Sequence, residues 1–326
     1  MRGALWIVCP VYLDVASFLI LRERLSTATA SDPQLAGMEV RFVVADDSGG
    51  TDPEVTQLAE HGDIRIVEPP FNLGHQRALV YALRRIARDV DDEDFVVTMD
   101  ADGEDSPEDV PRLIHELLRA GSARTVVHAL RTSREESLAF KLFYTLFRVL
   151  FRTLTGTTVR SGNFIAYRGW IARRALAHPA FELCYATAFT SLRLERRYVP
   201  CARGSRYAGQ SRMGFSKLVS HGFSMLMPFL DRVAIRALIL FSAIVGLCVA
   251  LAAVVLAVKL GTDRAVPGWA TSTLLALSIS SIVALGNFVI LFAVYAQSRG
   301  LSLSALEERD LGSARGTASP RDSTLA

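Results

Sequence analysis

Two long segments near the C-terminal end of the sequence contain no charged residue, and they limit the folds open to this chain. Residues 237–258 and 271–296 are uncharged runs of 22 and 26 residues. About 20 consecutive apolar residues are enough to span the hydrocarbon core of a bilayer. Because the connector between the runs is short, we predict an antiparallel transmembrane hairpin.

Positively charged side chains flank the open end of this hairpin. Arg232 and Arg236 precede the first run, Arg299 follows the second, and Lys259 is the main opposing charge. Lysine and arginine accumulate on the cytosolic side of membrane helices. We therefore expect the rest of the chain to lie in the cytosol.

The first half of the sequence alternates apolar runs with helical patterns. Such an alternation indicates a doubly wound, mainly parallel α/β sheet with helices on both faces. In that architecture, ligands bind beyond the carboxyl ends of the strands. Strands are predicted at residues 4–9, 40–45, 64–67, 95–99 and 125–129, and helices at residues 14–25, 53–61, 73–88 and 107–120.

Carboxylates follow the fourth predicted strand at alternating positions. Asp100 and Asp102 point to the same side of an extended chain, and Glu104 joins them if the backbone stays extended. Mg²⁺ and Mn²⁺ prefer such oxygen ligands and complete their shell with water and substrate phosphates. The pattern predicts a site for Mg²⁺ or Mn²⁺, and the alternative is an acidic, solvated turn.

Polar clusters also follow the first two strands and precede a helix. Pro10 and Tyr12 can line a pocket for a nucleotide base, and Asp14 either joins them or serves as the N-cap of a helix. Asp46 and Asp47 can accept hydrogen bonds from a base or a ribose. The sequence Asn-Leu-Gly-His-Gln at residues 72–76 either begins a phosphate-binding helix or forms a purely structural turn.

Charge is segregated along the chain. Residues 1–120 carry a balance of −12, residues 121–236 carry +14, and the remainder carries +1. A basic segment just before membrane spans favours anionic lipid head groups over nucleic acid as the partner. The alternative is that many of these arginines lie on solvated helices.

Together these motifs resemble glycosyltransferase family 2. The resemblance is carried by Pro-x-Tyr-x-Asp at residues 10–14, Asp-Asp-Ser-Gly-Gly-Thr-Asp at 46–52, Asn-x-Gly-His-Gln at 72–76 and Asp-Ala-Asp at 100–102. In the second half, the arginine motifs at 131–135 and 203–212 and Gly-Asn-Phe at 162–164 look like the polyisoprenyl-phosphate glycosyltransferase branch. That branch includes dolichol-phosphate mannose synthase and bacterial undecaprenyl-phosphate glycosyltransferases.

The resemblance implies an inverting transfer of a sugar from a nucleotide diphosphate sugar, UDP-linked in bacterial relatives, to undecaprenyl or another polyprenyl phosphate. The expected location is the cytosolic face of the bacterial inner membrane, in a multi-pass protein that can form homo-oligomers. The expected organisation is a GT-A-like nucleotide-sugar domain at residues 1–213, interfacial helices at 214–236, the hairpin at 237–296, and a disordered tail at 297–326.

The resemblance also assigns roles to individual residues. The metal would be held by Asp100, Asp102 and Glu104, and the nucleoside by Pro10, Tyr12, Asp14, Asp46 and Asp47. Besides Asp102, the residues expected to act on the donor and acceptor phosphates are Arg131, Arg134, Asn163, Arg206, Ser211, Arg212 and Lys217.

Three positions depart from the pattern of the branch. The Asp46 cluster has an extra glycine, Glu104 stands where glutamine is common, and Asn163 stands where relatives have a candidate catalytic aspartate. A phosphate monoester is largely a dianion at neutral pH, since its second pKa is about 6, so it needs no general base. Asn163 therefore favours a phosphate acceptor, to which it would donate a hydrogen bond. The alternatives are transfer to a hydroxyl-bearing lipid, and a catalytically silent subunit that only binds a nucleotide sugar.

Overall fold

The computed structural model describes residues 3–131, 138–159, 162–192, 194–208, 215–261 and 268–298. Two compact units are present. The first is formed within Met1–Arg148 and Thr158–Pro228, and the second within Val149–Thr157 and Phe229–Leu301. Apart from its first two positions, the tail expected at residues 297–326 lies outside the described residues.

The first unit is built on a seven-stranded sheet of order β3-β2-β1-β4-β6-β5-β7. Six strands run parallel, and β6 is antiparallel to both of its neighbours. The predicted fold class is thereby confirmed. The strands are β1 (Leu5–Val11), β2 (Val40–Asp46), β3 (Ile64–Val67), β4 (Phe95–Thr98), β5 (Thr125–Arg131), β6 (Ile165–Arg168) and β7 (Glu195–Cys201).

The sequence did not predict β6 and β7, and each omission has a physical reason. The β6 strand is only four residues long, too short for a clear periodic pattern. The β7 strand pairs with β5 alone and lies at the edge of the sheet, where charged side chains and proline are tolerated. Its sequence Glu-Arg-Arg-Tyr-Val-Pro-Cys accordingly lacks a continuous apolar run.

Ten α-helices lie in the described part of the chain, along with short 3₁₀ turns that include Pro53–Glu60 and Pro107–Asp109. The α-helices are α1 (Val15–Ser31), α2 (His75–Ile86), α3 (Val110–Ala120), α4 (Leu138–Thr155), α5 (Gly169–Arg174), α6 (Ala180–Leu183), α7 (Tyr185–Ser191), α8 (Phe215–Leu226), α9 (Leu230–Gly261) and α10 (Trp269–Ser298).

Both faces of the sheet are buried, which explains the continuous apolar strands in the sequence. Successive residues of a strand point to opposite faces, so Leu5 and Ile7 join the core beneath α1 and α3. Trp6 and Val8 join the core beneath α2, α6 and α7. All seven residues of β1 are buried. The strand therefore needs apolar side chains throughout.

The second unit contains α9 and α10, which pack against each other along their length. Both helices are long and apolar enough to cross a membrane, with mean hydropathies of 2.9 and 2.3 in their most apolar windows. The end of α4 belongs to this unit as well. There Arg236 donates to the carbonyl of Thr153, and the ring of Phe151 packs edge-on against Phe229, with centroids 5.7 Å apart.

A buried carboxylate joins the starts of β1 and β4. Asp94 Oδ1 accepts from the Ala4 backbone N–H at 2.7 Å, and Oδ2 accepts from Trp6 Nε1 at 2.8 Å and from the Asp91 N–H at 2.9 Å. The residue is 4% exposed. Three donors from two segments therefore depend on one charged acceptor.

We expect Asp94→Ala to destabilise the first unit by about 3 kcal/mol or more, because each buried donor left unpaired costs about 1–3 kcal/mol. The thermal unfolding midpoint of the full chain in detergent, followed by tryptophan fluorescence, would fall by roughly 10 °C. Asp92→Asn is the matched control, since Asp92 on the same loop forms only a partly exposed pair with Arg173. Equal midpoints for the two variants would contradict this account.

Candidate functional site

The carboxyl ends of three central strands meet at one edge of the sheet. Val11 at the end of β1 is in register with Asp46 at the end of β2, and the Met99 N–H donates to the Val8 carbonyl. The polar clusters after β1, β2 and β4 therefore lie side by side, as the parallel arrangement predicts. This edge is the candidate site.

The acid loop, residues 99–105, is folded by its own carboxylates. The Asp100 N–H donates to Asp105 Oδ2 at 3.0 Å, and the Glu104 N–H donates to Asp102 Oδ1 at 3.0 Å. These bonds turn the chain instead of leaving it extended. An extended chain would place Asp100, Asp102 and Glu104 on one side, but this loop is not extended. The alternation of side chains expected from the sequence is therefore absent here.

Asp100 lies at the base of this loop beside His75, at the start of α2. Its Oδ1 atom is 3.0 Å from His75 Nε2, yet it is buried and accepts no well-aligned hydrogen bond from the described residues. Burial raises the pKa of Asp100, but His75, Arg131 and Asn163 outweigh that effect and lower it to about 2. The buried Oδ1 of Asp100 is thus next to the His75 ring but accepts no well-aligned hydrogen bond from the described residues.

The other carboxylates of the loop bind arginines that come later in the sequence, at the end of β5 and after β7. Arg206 bridges Asp102 Oδ2 and Glu104 Oε1, at 2.9 Å each. Arg203 reaches the same Glu104 oxygen at 2.6 Å, while Arg131 donates to Asp105 Oδ1 at 2.8 Å. These contacts hold the basic segment against the acidic one.

The pKa values of these carboxyl groups follow from their partners. Burial raises the pKa of Asp102, and the neighbouring Asp100 charge adds to that increase. Burial also raises the pKa of Glu104, but the hydrogen bonds from Arg203 and Arg206 outweigh it and lower the pKa overall. Of the two groups, Asp102 is therefore the one whose charge remains poorly compensated.

The basic contacts come from a segment after β7, residues 202–208, which we call the arginine strap. Its backbone is fastened to the acid loop, since the Gly204 N–H donates to the Glu104 carbonyl at 3.0 Å and the Tyr207 N–H to the Asp102 carbonyl at 2.9 Å. A Cβ on Gly204 would lie 2.1 Å from the Gly103 carbonyl oxygen. Glycine at position 204 permits this approach.

The geometry tests the expected metal ligands. Among the described residues, no three histidine, cysteine, aspartate or glutamate side chains stand ready to hold a metal together. Glu104 faces three arginines, whereas Asp100 Oδ1 accepts no well-aligned hydrogen bond from the described residues and Asp102 pairs with Arg206 alone. Two carboxylates with substrate phosphates are a common set for Mg²⁺. Asp100 and Asp102 fit such an ion, and the three-carboxylate set stays a prediction.

Asn163 is held from three sides just before β6. Its Oδ1 accepts from Gln76 Nε2 at 2.5 Å, its Nδ2 lies 2.7 Å from His75 Nε2, and its backbone carbonyl accepts from the Thr98 hydroxyl at 2.6 Å. The side chain is therefore part of the packing between α2 and the end of β4. A contact with an acceptor phosphate stays a prediction.

The expected nucleoside residues line the ends of β1 and β2. Both Asp46 oxygens accept from Ser48, and Asp47 Oδ1 accepts from the Leu73 N–H at 2.7 Å. Burial is the main reason that the pKa of Asp47 is raised. These two aspartates fix the loops around the site, and their direct contact with a nucleoside stays a prediction.

The remaining nucleoside candidates differ in exposure. Pro10 is buried within β1, and Tyr12 is exposed beside Leu13, which has a positive φ of 51°. Asp14 occupies the N-cap position of α1, although its side chain makes no capping hydrogen bond within the described chain. The tight turn at Leu13 therefore presents Tyr12 to solvent at the mouth of the site.

Several predicted residues fall outside the described part of the site. Arg134, Ser211 and Arg212 lie outside the described residues, and Lys217 is described only as backbone in α8. Four side chains of this site have no role predicted from the sequence: His75, Gln76, Asp105 and Arg203. His75, Gln76 and Arg203 lie inside the motifs quoted above and Asp105 follows one of them, but their partners could not be read from the sequence.

Comparison with known sequences adds independent information. Residues 7–177 match the family model for Glycosyl transferase family 2. The chain is 26% identical over 251 residues to the undecaprenyl-phosphate 4-deoxy-4-formamido-L-arabinose transferase of Edwardsiella ictaluri (strain 93-146), covering 74% of this chain and 72% of that protein. The transferase of the same name from Pectobacterium carotovorum subsp. carotovorum (strain PC1) is 26% identical over 275 residues, covering 80% and 79%.

Solved structures of low sequence identity also align with the chain. Glucosyl-3-phosphoglycerate synthase from Mycobacterium tuberculosis, in complex with Mn²⁺, UDP and glucosyl-3-phosphoglycerate, is 17% identical and aligns with a TM-score of 0.47. The alignment covers 71% of this chain and 80% of the synthase. A likeness at this level says nothing about activity.

The contact between Gly204 and Gly103 leads to a test of the arginine strap. We expect Gly204→Ala to push the strap off the acid loop, since a Cβ cannot lie so close to a carbonyl oxygen. The amides of residues 204 and 207 would then lose their protection in hydrogen–deuterium exchange. Gly62→Ala is the matched control, because a Cβ there meets nothing within 4 Å. Unchanged exchange in Gly204→Ala would show that the strap is held in some other way.

Proposed function

The chain belongs to glycosyltransferase family 2, as its sequence predicts, and we propose that it transfers a sugar from a nucleotide diphosphate sugar to a polyprenyl phosphate at a membrane. The proposal rests on one observation above all: the carboxylates that follow the carboxyl ends of the strands and a set of arginines lie together in a single site. The names of the sequence relatives support undecaprenyl phosphate as the acceptor.

On this proposal, Asp100 and Asp102 hold the divalent cation, Mg²⁺ or Mn²⁺, that accompanies the donor. When bound, such an ion neutralises the departing diphosphate as a Lewis acid. Two observations support these residues as its ligands: Asp100 Oδ1 accepts no well-aligned hydrogen bond from the described residues, and the pKa of Asp102 is raised by burial and by the charge of Asp100. Asp46 and Asp47 border the pocket proposed for the nucleoside, which we take to be uridine.

The basic residues of the second half are proposed to bind the phosphates. Arginine presents several N–H donors in a planar fork that matches phosphate oxygens. Arg131 and Arg206 each donate N–H groups to carboxylates of the acid loop. These hydrogen bonds hold both guanidinium groups beside the loop. The expected partners Arg134, Ser211, Arg212 and Lys217 complete the proposed set.

The acceptor chemistry needs orientation more than proton removal. A phosphate monoester is mostly doubly ionised at neutral pH, because its second pKa is about 6. One of its oxygens can attack the anomeric carbon directly as the bond to the donor diphosphate breaks, which inverts the configuration. An asparagine at position 163, already bonded to Gln76, is compatible with a reaction that has no general base.

The membrane assignment is supported by exposed apolar surface. The helices α9 and α10 are proposed to span the bilayer as a hairpin. Helix α4 exposes Leu146, Val149 and Leu150, which suits a position in the head-group region. We propose that the catalytic domain faces the cytosol of a bacterium, where nucleotide sugars are made.

Metal dependence gives the first test. We expect Asp102→Asn to lower the turnover by about two to three orders of magnitude, since it removes charge that acts on the departing diphosphate. EDTA would abolish activity of the wild-type chain, and added Mn²⁺ or Mg²⁺ would restore it. Asp63→Asn, which breaks a surface pair with Arg22, is the control. Full turnover in EDTA would contradict the proposed metal role.

The acceptor is tested by mass spectrometry of the lipid product. Purified full-length protein in detergent would be given a panel of nucleotide sugars with undecaprenyl phosphate, undecaprenol or diacylglycerol. We expect a glycolipid only with undecaprenyl phosphate. Product with undecaprenol or diacylglycerol would show that the acceptor is a hydroxyl-bearing lipid and contradict the proposal. Nucleotide-sugar binding without any product would favour a non-catalytic binding subunit.

A further inference from the structure

Glu104 is the acid-loop residue whose surroundings differ most from a metal site. Its Oε1 accepts from Arg203 at 2.6 Å and from Arg206 Nε at 2.9 Å, while its Oε2 lies 3.4 Å from Arg131. The side chain is only 10% exposed. Both carboxylate oxygens thus face guanidinium groups that come from two distant segments of the chain.

We infer that Glu104 is a positioning residue, which gathers Arg131, Arg203 and Arg206 into one phosphate-binding group and is not a ligand of the divalent cation. This inference rests on the proposed function, because it specifies how the arginines of that site are held. It also adds Arg203 to the residues that meet a phosphate.

The electrostatics of the cluster support this role. Three guanidinium groups so close together repel one another unless an anion lies between them. Glu104 is that shared anion, because it is the one carboxylate in contact with all three in the described chain. Without it, the three arginines would have no common partner.

The geometry leaves donors free for a substrate. A guanidinium group has five N–H donors, and Arg203 uses one of them on Glu104. Arg206 is shared, since it also pairs with Asp102. A cation held by Asp102 would compete with Arg206 for that carboxylate, and the hydrogen bond to Glu104 would keep Arg206 at the site with a donor available for the phosphate.

The test compares two binding reactions on the full-length protein in detergent. One is Mn²⁺ binding in the presence of UDP, measured by electron paramagnetic resonance. The other is binding of undecaprenyl phosphate, measured by intrinsic fluorescence with undecaprenol as the reference lipid. A metal ligand affects the first reaction directly, and a residue that gathers arginines affects the second.

We expect Glu104→Ala to weaken undecaprenyl phosphate binding about tenfold or more, because the arginines lose their shared partner. Its Mn²⁺ affinity would stay within about threefold of wild type, whereas Asp102→Asn would lose about tenfold or more. Glu104→Gln would restore lipid binding only in part, since its amide oxygen still accepts from Arg203 and Arg206 but carries no charge to offset the three guanidinium groups.

Glu108→Ala is the matched control, because it removes a glutamate three residues beyond the acid loop that pairs with Arg24 outside the cluster. It should change neither affinity. A loss of Mn²⁺ affinity in Glu104→Ala equal to that of Asp102→Asn would make Glu104 a ligand and overturn the inference. Unchanged lipid binding in Glu104→Ala would overturn it as well.

The proposed function can fail separately from this inference. If the wild-type chain binds undecaprenyl phosphate no better than undecaprenol, the proposed acceptor is wrong. The Mn²⁺ titrations still test the role of Glu104 in that case. Equal Mn²⁺ affinities in the wild type and Glu104→Ala exclude Glu104 as a metal ligand. A loss of affinity equal to that of Asp102→Asn refutes the inference.

Discussion

The mutual repulsion of carboxylates at the end of β4 is the constraint on which the site depends. Asp100, Asp102, Glu104 and Asp105 lie within six consecutive residues, and Glu104 and Asp105 are buried. Burial and the Asp100 charge together raise the pKa of Asp105. Such a loop keeps its shape only if positive charge is brought to it, and most of that charge comes from residues after β5.

This requirement explains why the chain is acidic in its first part and basic in its second. The carboxyl ends of the strands supply oxygens, and the arginines at the end of β5 and after β7 supply the opposing charge. The antiparallel strand β6 lies between β4 and β5, so it brings Asn163 to the same edge. Neither part alone contains both the oxygens and the donors that the proposed reaction needs.

Much of this arrangement could be predicted from the sequence. Apolar runs ending in polar clusters predicted the strand edge, and the spacing of Asp100 and Asp102 predicted an oxygen-rich loop there. The pairing of Glu104 with Arg203 and Arg206 could not be predicted, because the partners are about 100 residues apart and join only through tertiary structure. The loop is also folded by hydrogen bonds between its own residues, whereas the sequence prediction assumed an extended backbone.

The bonds around Asn163 and the arginine strap have a consequence for biosynthesis. His75 and Gln76 belong to a helix completed early, yet their partner emerges from the ribosome some 88 residues later. Arg206 follows later still, only 24 residues ahead of α9. In a nascent chain the acid loop can therefore pair with Arg131 early but with Arg203 and Arg206 only shortly before the first long apolar helix is synthesised. Maturation of the catalytic pocket and delivery to the bilayer are adjacent events in its synthesis.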